Sequence, residues 1–381
     1  MPPPRPPPPL VDDLVEEVLL RFPPKDPAAL VRAALVCKRW RRLISDPRFR
    51  RRFREFHRTP PMLGMFCSGC SLVYRRFVAT TAFRAHHAER GYRRALDARH
   101  GRVLLLGEGG TLFVWDPITG EERKVPSPRL PPQYTMSLTW TAAVLCSSAS
   151  ASGCDHLDCH HGPFIVVVVR SLLGAAGVVE TLICTYSSDA AAWSEPTRGQ
   201  GPSYLRGLVD PRMRSVLVGN AFYFGILKER AALKYNLQLH QMSWIQLPPS
   251  VPLRRQILLT TTEDGGLGLA TEHESKLYVW SRKDADDVDA RWEQSRVTEL
   301  KMLLPVDADF TSLYAVGSTD DLGIIFMRAG NAVYAIDLKT YKGKKVCEGK
   351  INTIVPYMCF YTPELEAACT GEEPSAGGSS A

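Results

Sequence analysis

The chain has 381 residues, of which 45% are hydrophobic and 23% charged, proportions of a folded globular protein and not of a fibrous or disordered one. At roughly 100–200 residues per domain, this length implies two domains, or one large and one small unit. The net charge of +7 is concentrated in one early stretch, which excludes a whole surface built for nucleic acid.

The N-terminus, "MPPPRPPPPL", is proline-rich and lacks the apolar region of a signal peptide, so residues 1–9 are expected to be disordered. The longest strongly apolar run, "FIVVVV" at 164–169, is too short to span a bilayer, so no membrane is expected as a partner. The chain is therefore expected inside the cell, in the nucleus or cytoplasm, with its 10 cysteines as reduced thiols.

Residues 10–58 predict short helices. Leu10, Leu14, Val18 and Phe22 recur at helical intervals with Leu19 alongside, and Asp13 with Glu16 has capping-box spacing. Pro23-Pro24 stops this helix. Asp26-Pro27 and Asp46-Pro47 each read as a cap followed by proline at the first helical position. Between them, a short helix holds Trp40, Leu43 and Ile44. The last helix, rich in arginine, places Phe49, Phe53 and Phe56 on one face.

After a connecting segment, 59–100, the period changes to that of strands. "RVLLLGEGGTLFVWDPITGEERKVPSP" (102–128) reads as strand, turn, strand, turn, strand. Apolar cores recur as "TLFVWD", "ALKYNL", "KLYVWS" and "AVYAID", in repeats of the size of propeller blades. Residues 101–366 are thus expected to form a β-propeller-like domain, with 367–381 a disordered tail.

The chemistry-bearing motifs are weak. Cys67 and Cys70 form a C-x-x-C, and "CDHLDCHHG" (154–162) gathers Cys154, His156, Cys159, His160 and His161. A structural zinc site needs four ligands on one frame, and neither cluster shows a regular second half, so no metal and no cofactor are expected and the second cluster reads as a polar blade loop. "GEGGT" (107–111) precedes a strand and not a helix, so it predicts a hairpin turn and not a phosphate cradle. "DADDVDARWE" (284–293) lacks the glycine and glutamate of a calcium loop and reads as a solvated acidic loop. No motif argues for catalysis, so the chain is not expected to be an enzyme.

"PLVDDLVEEVLLRFPPKDPAALVRAALVCKRWRRLISDPRFRRRF" resembles the F-box motif, with Val11 where many F-boxes have proline. The region after 100 is similar to the β-propeller of plant F-box proteins, through "VWDPITGE", "LLTTTEDGGLGLA", "KLYVWSR" and "PYMCFYTPEL". The fold class implied is an α+β multidomain chain: a small N-terminal helical F-box module, then an all-β propeller-like domain at the C-terminal side. The resemblance implies docking on a Skp-type adaptor and, through it, on a cullin, with the propeller recruiting a protein substrate for ubiquitination. Carried over by position, Leu10, Leu14, Val18, Leu19, Cys37, Lys38, Trp40 and Leu43 are the implied adaptor-side or supporting residues. The competing reading is a nucleic-acid-binding protein that uses the arginine-rich helix around 38–58. The segregation of aromatics and arginines to different helical faces disfavours it, so nucleic acid is not expected as a partner.

Overall fold

The structure, a computed structural model, describes residues 11–69, 75–85, 93–128, 134–150, 154–174, 179–200, 208–227, 229–251, 257–282, 291–305, 307–320 and 322–361. The chain divides into two compact units, one formed by residues 1–63, 79–84 and 359–381 and the other by 64–78 and 85–358. The expected tails, 1–9 and 367–381, and Leu10 lie outside the described residues.

The helical unit holds α1 (Asp12–Leu20), α2 (Pro27–Val36), α3 (Lys38–Ser45) and α4 (Pro47–His57). The start of α1 differs from the expected acidic cap. Val11 occupies the N-cap and offers no side-chain acceptor, while Asp12 and Asp13 fall inside the first turn. There they favour the helix through its dipole, so the capping-box geometry is not used. At α4 the expectation holds: the Asp46 carboxylate accepts from the backbone N–H of Arg48 at 2.8 Å, with Pro47 at the first helical position. Cys37 starts α3, its sulfur accepting from the Trp40 N–H at 3.4 Å. The buried side chains of the four helices are Val15, Leu19 and Leu20 of α1, Pro27, Leu30, Ala33 and Ala34 of α2, Ile44 of α3, and Phe49 and Phe53 of α4. Phe56 departs from the expected aromatic stripe and is 52% exposed.

The second unit is a six-bladed β-propeller. Among the described residues, five blades follow one another along the chain. Blade 1 comprises Arg94–Arg99, Arg102–Leu106, Leu112–Trp115 and Glu122–Val125. Blade 2 comprises Tyr134–Cys146, Phe164–Gly174, Val179–Ser187 and Ala192–Trp193, with Thr197–Gln200 also paired to its third strand. Blades 3, 4 and 5 begin with Val216–Val218, Ile257–Thr261 and Leu313–Ser318 and end with Gln241–Gln246, Trp292–Glu299 and Lys342–Glu348. Blade 6 joins distant parts of the sequence: Ile351–Met358 pairs with Met62–Gly69, which pairs with Arg75–Ala79.

This topology corrects two boundaries. The segment 59–100, expected as a connection, supplies two strands of blade 6 and the first strand of blade 1. The propeller is consequently not a C-terminal appendage beginning near 101; it follows the four helices directly, from Met62. "MLGMFCSG" had no partner visible in its own neighbourhood because that partner is Ile351–Met358.

The sequence pattern of each blade follows from its layering. Second strands such as "FIVVVVRSLLG" lie between two strand neighbours, and the blades stack face to face, so both faces of these strands are apolar. Separate cores fill the gaps between blades: Leu104, Val114, Val144 and Val166 between blades 1 and 2, Val167, Ile183, Phe222 and Leu233 between 2 and 3. Fourth strands are edges. "WEQSRVTE" and "KGKKVCE" are largely exposed and charged, which blunts edge-to-edge pairing. The recurring cores "TLFVWD", "ALKYNL", "KLYVWS" and "AVYAID" are all third strands. In three of them the closing Asp or Asn builds the turn to the fourth strand. Asp116 Oδ1 accepts from the N–H groups of Ile118 and Thr119, Asn236 Oδ1 from those of Gln238 and Leu239, and Asp337 Oδ1 from those of Lys339 and Thr340.

First strands of successive blades neighbour one another around the ring. Inside it lies a buried ionic knot. Arg214 Nε donates to Asp97 Oδ1 at 2.6 Å and its Nη2 to Asp320 Oδ2 at 2.8 Å. Arg99 pairs with Asp97 and, at 3.3 Å, with Asp320. Arg99 also donates to the Ser215 carbonyl, and Asp97 Oδ2 accepts from the Val144 N–H at 2.9 Å. Two carboxylates and two guanidiniums cancel, and they tie together blades 1, 2, 3 and 5.

Candidate functional site

Three surfaces of the two units carry chemistry. The first is on the helical unit. On α1, Val11, Leu14 and Val18 are 59%, 52% and 53% exposed although their neighbours Val15 and Leu19 are buried. At the end of α2, Leu35 and Val36 are 78% and 65% exposed. Arg39 Nε meets Asp12 Oδ1 at 2.5 Å, joining the start of α1 to the start of α3. At roughly 25 cal/mol per Å² of apolar area, leaving such a row in water is unfavourable, and covering it drives association.

The site residues implied by the resemblance fall into two groups. Leu14 and Val18 lie on the exposed row, and Cys37 and Lys38 are exposed at the α2–α3 junction. Leu19 is fully buried and supports the row from beneath, while Trp40 and Leu43 are half-buried. Leu35 and Val36 are the residues that sequence reasoning missed. Their signal was available: "AALVC" continues apolar past the helical period of Leu30 and Ala34, placing two large side chains off the core face.

Five arginines of this unit, Arg21, Arg32, Arg39, Arg51 and Arg52, are paired with acids. Arg52 meets Glu16 at 2.6 Å and Glu17 at 3.4 Å, tying α4 to α1. Arg51 pairs with Glu55 one turn on at 2.8 Å, and Arg21 with Glu17 at 2.9 Å. A phosphate backbone would have to compete with these carboxylates for Arg21, Arg51 and Arg52.

The second surface is a cavity of about 1490 Å³ in the propeller, lined by first-strand residues of blades 4, 5 and 6, second-strand ends of blades 3, 4 and 5, and the segments beside them. Its polar lining includes the Asp210–Arg212 pair at 3.0 Å and Glu272, which accepts from the Ser275 N–H. Arg328 lies 4.7 Å from the Tyr314 ring centroid and donates to Asn352 Oδ1. Both signs of charge and an accessible tyrosine suit recognition of a polypeptide segment. Asp97 and Asp320 of the ionic knot are each bound to arginine.

The third is the loop between the first two strands of blade 2. The acidic segment expected as a loop at 284–291 falls almost wholly outside the described residues, as does Cys70 of the C-x-x-C. Cys67 instead meets Cys347, whose pKa is lowered to about 7 by that hydrogen bond and by the charge of Arg76. The loop 147–163, however, does not match the incomplete ligand set expected of it. Cys154, His156 and Cys159 gather with Cys146, the last residue of the Tyr134–Cys146 strand, so that one donor atom from each lies within 4.8 Å of every other. Cys146 stands eight positions before Cys154, outside the motif as read, and only the hairpin brings it back. His160 turns elsewhere, with Nδ1 on Asp116 Oδ2 at 2.8 Å and Nε2 3.4 Å from Asp158. Burial opposes its charge, but the two carboxylates outweigh it and raise its pKa to about 9.

The comparisons agree with this architecture. Residues 9–52 match the model of the F-box domain, and residues 94–365 match the model described as F-box protein AT5G49610-like, beta-propeller. No curated protein matches the chain. Among solved structures, TolB from Acinetobacter baumannii is similar at 11% identity over 80% of this chain and 69% of that one, with a TM-score of 0.43. A chain of the nidogen/laminin complex is similar at 10% identity over 78% of this chain and 98% of its own, with a TM-score of 0.40. The PQQ-bound aldose sugar dehydrogenase from Streptomyces coelicolor is similar at 12% identity over 76% and 87%, with a TM-score of 0.36. These scores carry no functional argument. An F-box at the N-terminal side and a family model spanning most of the remaining chain decide the matter: the protein belongs to the F-box proteins with an AT5G49610-like β-propeller.

Proposed function

We propose that the chain is the substrate-recognition subunit of a Skp–cullin–F-box ubiquitin ligase. The F-box docks on a Skp-type adaptor, which links it to a cullin, and the propeller holds a protein target. The chain forms no bond itself; it raises the local concentration of target near activated ubiquitin. Such an assembly works in the nucleus or cytoplasm, where we expect this chain. The observation that carries the reading is the exposed row Val11, Leu14, Val18, Leu35 and Val36 on a helical unit whose own core is already filled.

The test is size-exclusion chromatography of the full chain mixed with a Skp-type adaptor at micromolar concentration. Co-elution is expected for the parent and its loss for Leu14→Asp combined with Leu35→Asp, with helical circular dichroism retained because neither side chain is buried. Failure of the parent to bind, or undiminished binding by the double variant, refutes the reading.

A further inference from the structure

We propose that Cys146, Cys154, His156 and Cys159 bind one zinc ion, which staples the segment 154–159 onto the end of the first strand of blade 2. Three thiolates and one imidazole are a standard tetrahedral zinc set, and soft sulfur donors select zinc over the hard cations. With Zn–S near 2.3 Å and Zn–N near 2.0–2.1 Å, a tetrahedron has an S···N edge of about 3.6 Å. The His156 Nδ1 to Cys159 Sγ separation is 3.6 Å. All four donors crowd within 4.8 Å of one another, a spacing that fits a single ion.

The surroundings are organised as a ligand set requires. The His156 ring stacks on His100, with centroids 4.0 Å apart and planes within 4° of parallel. His100 is itself fixed, its Nδ1 accepting from the Cys146 N–H at 3.0 Å. The ring orientation of one ligand and the backbone of another are thus set through a single intermediary. His156 takes a left-handed backbone, φ 57°, which turns the short C-x-H-x-x-C segment back on itself. Arg102, buried beside the loop, donates to the carbonyls of Cys159 and Gly162. Its Nη1 has no hydrogen-bond partner among the described residues.

Charge accounts for that arginine. On binding, three thiols release three protons to solvent, and Zn²⁺ with three thiolates and a neutral imidazole carries a net charge of −1. A guanidinium alongside compensates it. Without the ion, the same place holds a buried cation next to three neutral thiols, an unfavourable arrangement in a low-dielectric interior. The staple would also stiffen the long connection between two otherwise well-paired strands, since metal binding free energy enters folding directly.

The experiment is elemental analysis of the full chain, purified under reducing conditions and reconstituted with zinc, then desalted. About one zinc per chain is expected. Cys154→Ser and His156→Ala should each lose it, whereas Cys347→Ser and His161→Gln, outside the set, should keep it. Because ligand variants also risk misfolding, the parent is loaded with cobalt(II) as an independent readout. Visible absorption of tetrahedral cobalt with thiolate charge transfer is expected, and stoichiometric zinc should bleach it. Zinc well below one equivalent in the parent, zinc retained by Cys154→Ser, iron with labile sulfide in its place, or a Cys146–Cys159 disulfide in metal-free protein would each overturn the assignment.

Discussion

Replacing Asp97 by Asn tests whether the ionic knot holds the ring together. The Asp97 carboxylate is fully buried and receives Arg99, Arg214 and the Val144 N–H. The amide is almost isosteric, but it leaves Arg99 and Arg214 facing Asp320 alone, so one positive charge is uncompensated in the interior. Breaking a buried pair by removing one partner costs about 3–5 kcal/mol. At roughly 2–4 °C per kcal/mol for a domain of 150–250 residues, and less for a longer one, the propeller transition should fall by about 5–8 °C. Calorimetry of the full chain reads this directly. Lys345→Gln, which breaks an exposed pair with Glu348, serves as the control and should leave the midpoint unchanged. Removing charges of both signs, in Asp97→Asn with Arg214→Met, should cost less than the sum of the single losses. A drop under about 2 °C for Asp97→Asn would refute the reasoning, since it would mean that the guanidinium left uncompensated costs little in this interior.

The remaining predictions are compact. Burial pushes the Asp320 carboxyl up, but Arg214 and Arg99 outweigh burial and hold its pKa below the usual range. Its stabilisation is therefore complete above the unfolded pKa near 3.9 and is lost as pH falls through the lower folded value. Urea midpoints should stay level in this respect from pH 7 to 5 and decline below about pH 4, more shallowly in Asp320→Asn. At Gly317 a Cβ would come 2.5 Å from the Ile354 carbonyl oxygen, where the first strands of blades 5 and 6 meet. Gly317→Ala should destabilise the propeller by about 1–3 kcal/mol in chemical denaturation. Trp40→Ala should weaken binding to a Skp-type adaptor by at least roughly 25-fold in calorimetry. Arg51→Ala, on a side chain 80% exposed, should change it by only a few tenths of a kcal/mol.

What the sequence disclosed depended on how local the causes were. Third strands were legible because each carries its own alternation, and three of the four recurring ones their own turn-forming Asp or Asn, a pattern complete within about ten residues. The F-box was legible because its apolar positions lie within four short helices. The strand Met62–Gly69 was not, since its partner lies nearly 300 positions away at Ile351–Met358. Cys146 failed for a related reason: the hairpin Tyr134–Cys146 and Phe164–Gly174 brings together ends that the sequence keeps apart. Leu35 and Val36 were misjudged differently. An exposed leucine and a buried one have the same letter, and only the packing of Leu30, Ala33 and Ala34 against the other helices shows which face was already used.

The joining of Met62–Gly69 to Ile351–Met358 also sets a timetable for the nascent chain. The ring cannot close until the strand at 351–358 has left the ribosome, roughly 270 residues after the end of Arg75–Ala79. At about 5–20 residues per second, the early strands wait tens of seconds for their partner. Throughout that interval Met62–Gly69 offers an apolar edge to any passing strand. A message truncated before residue 351 would release chains with a complete F-box sequence and an open ring. Such products would depend on chaperones.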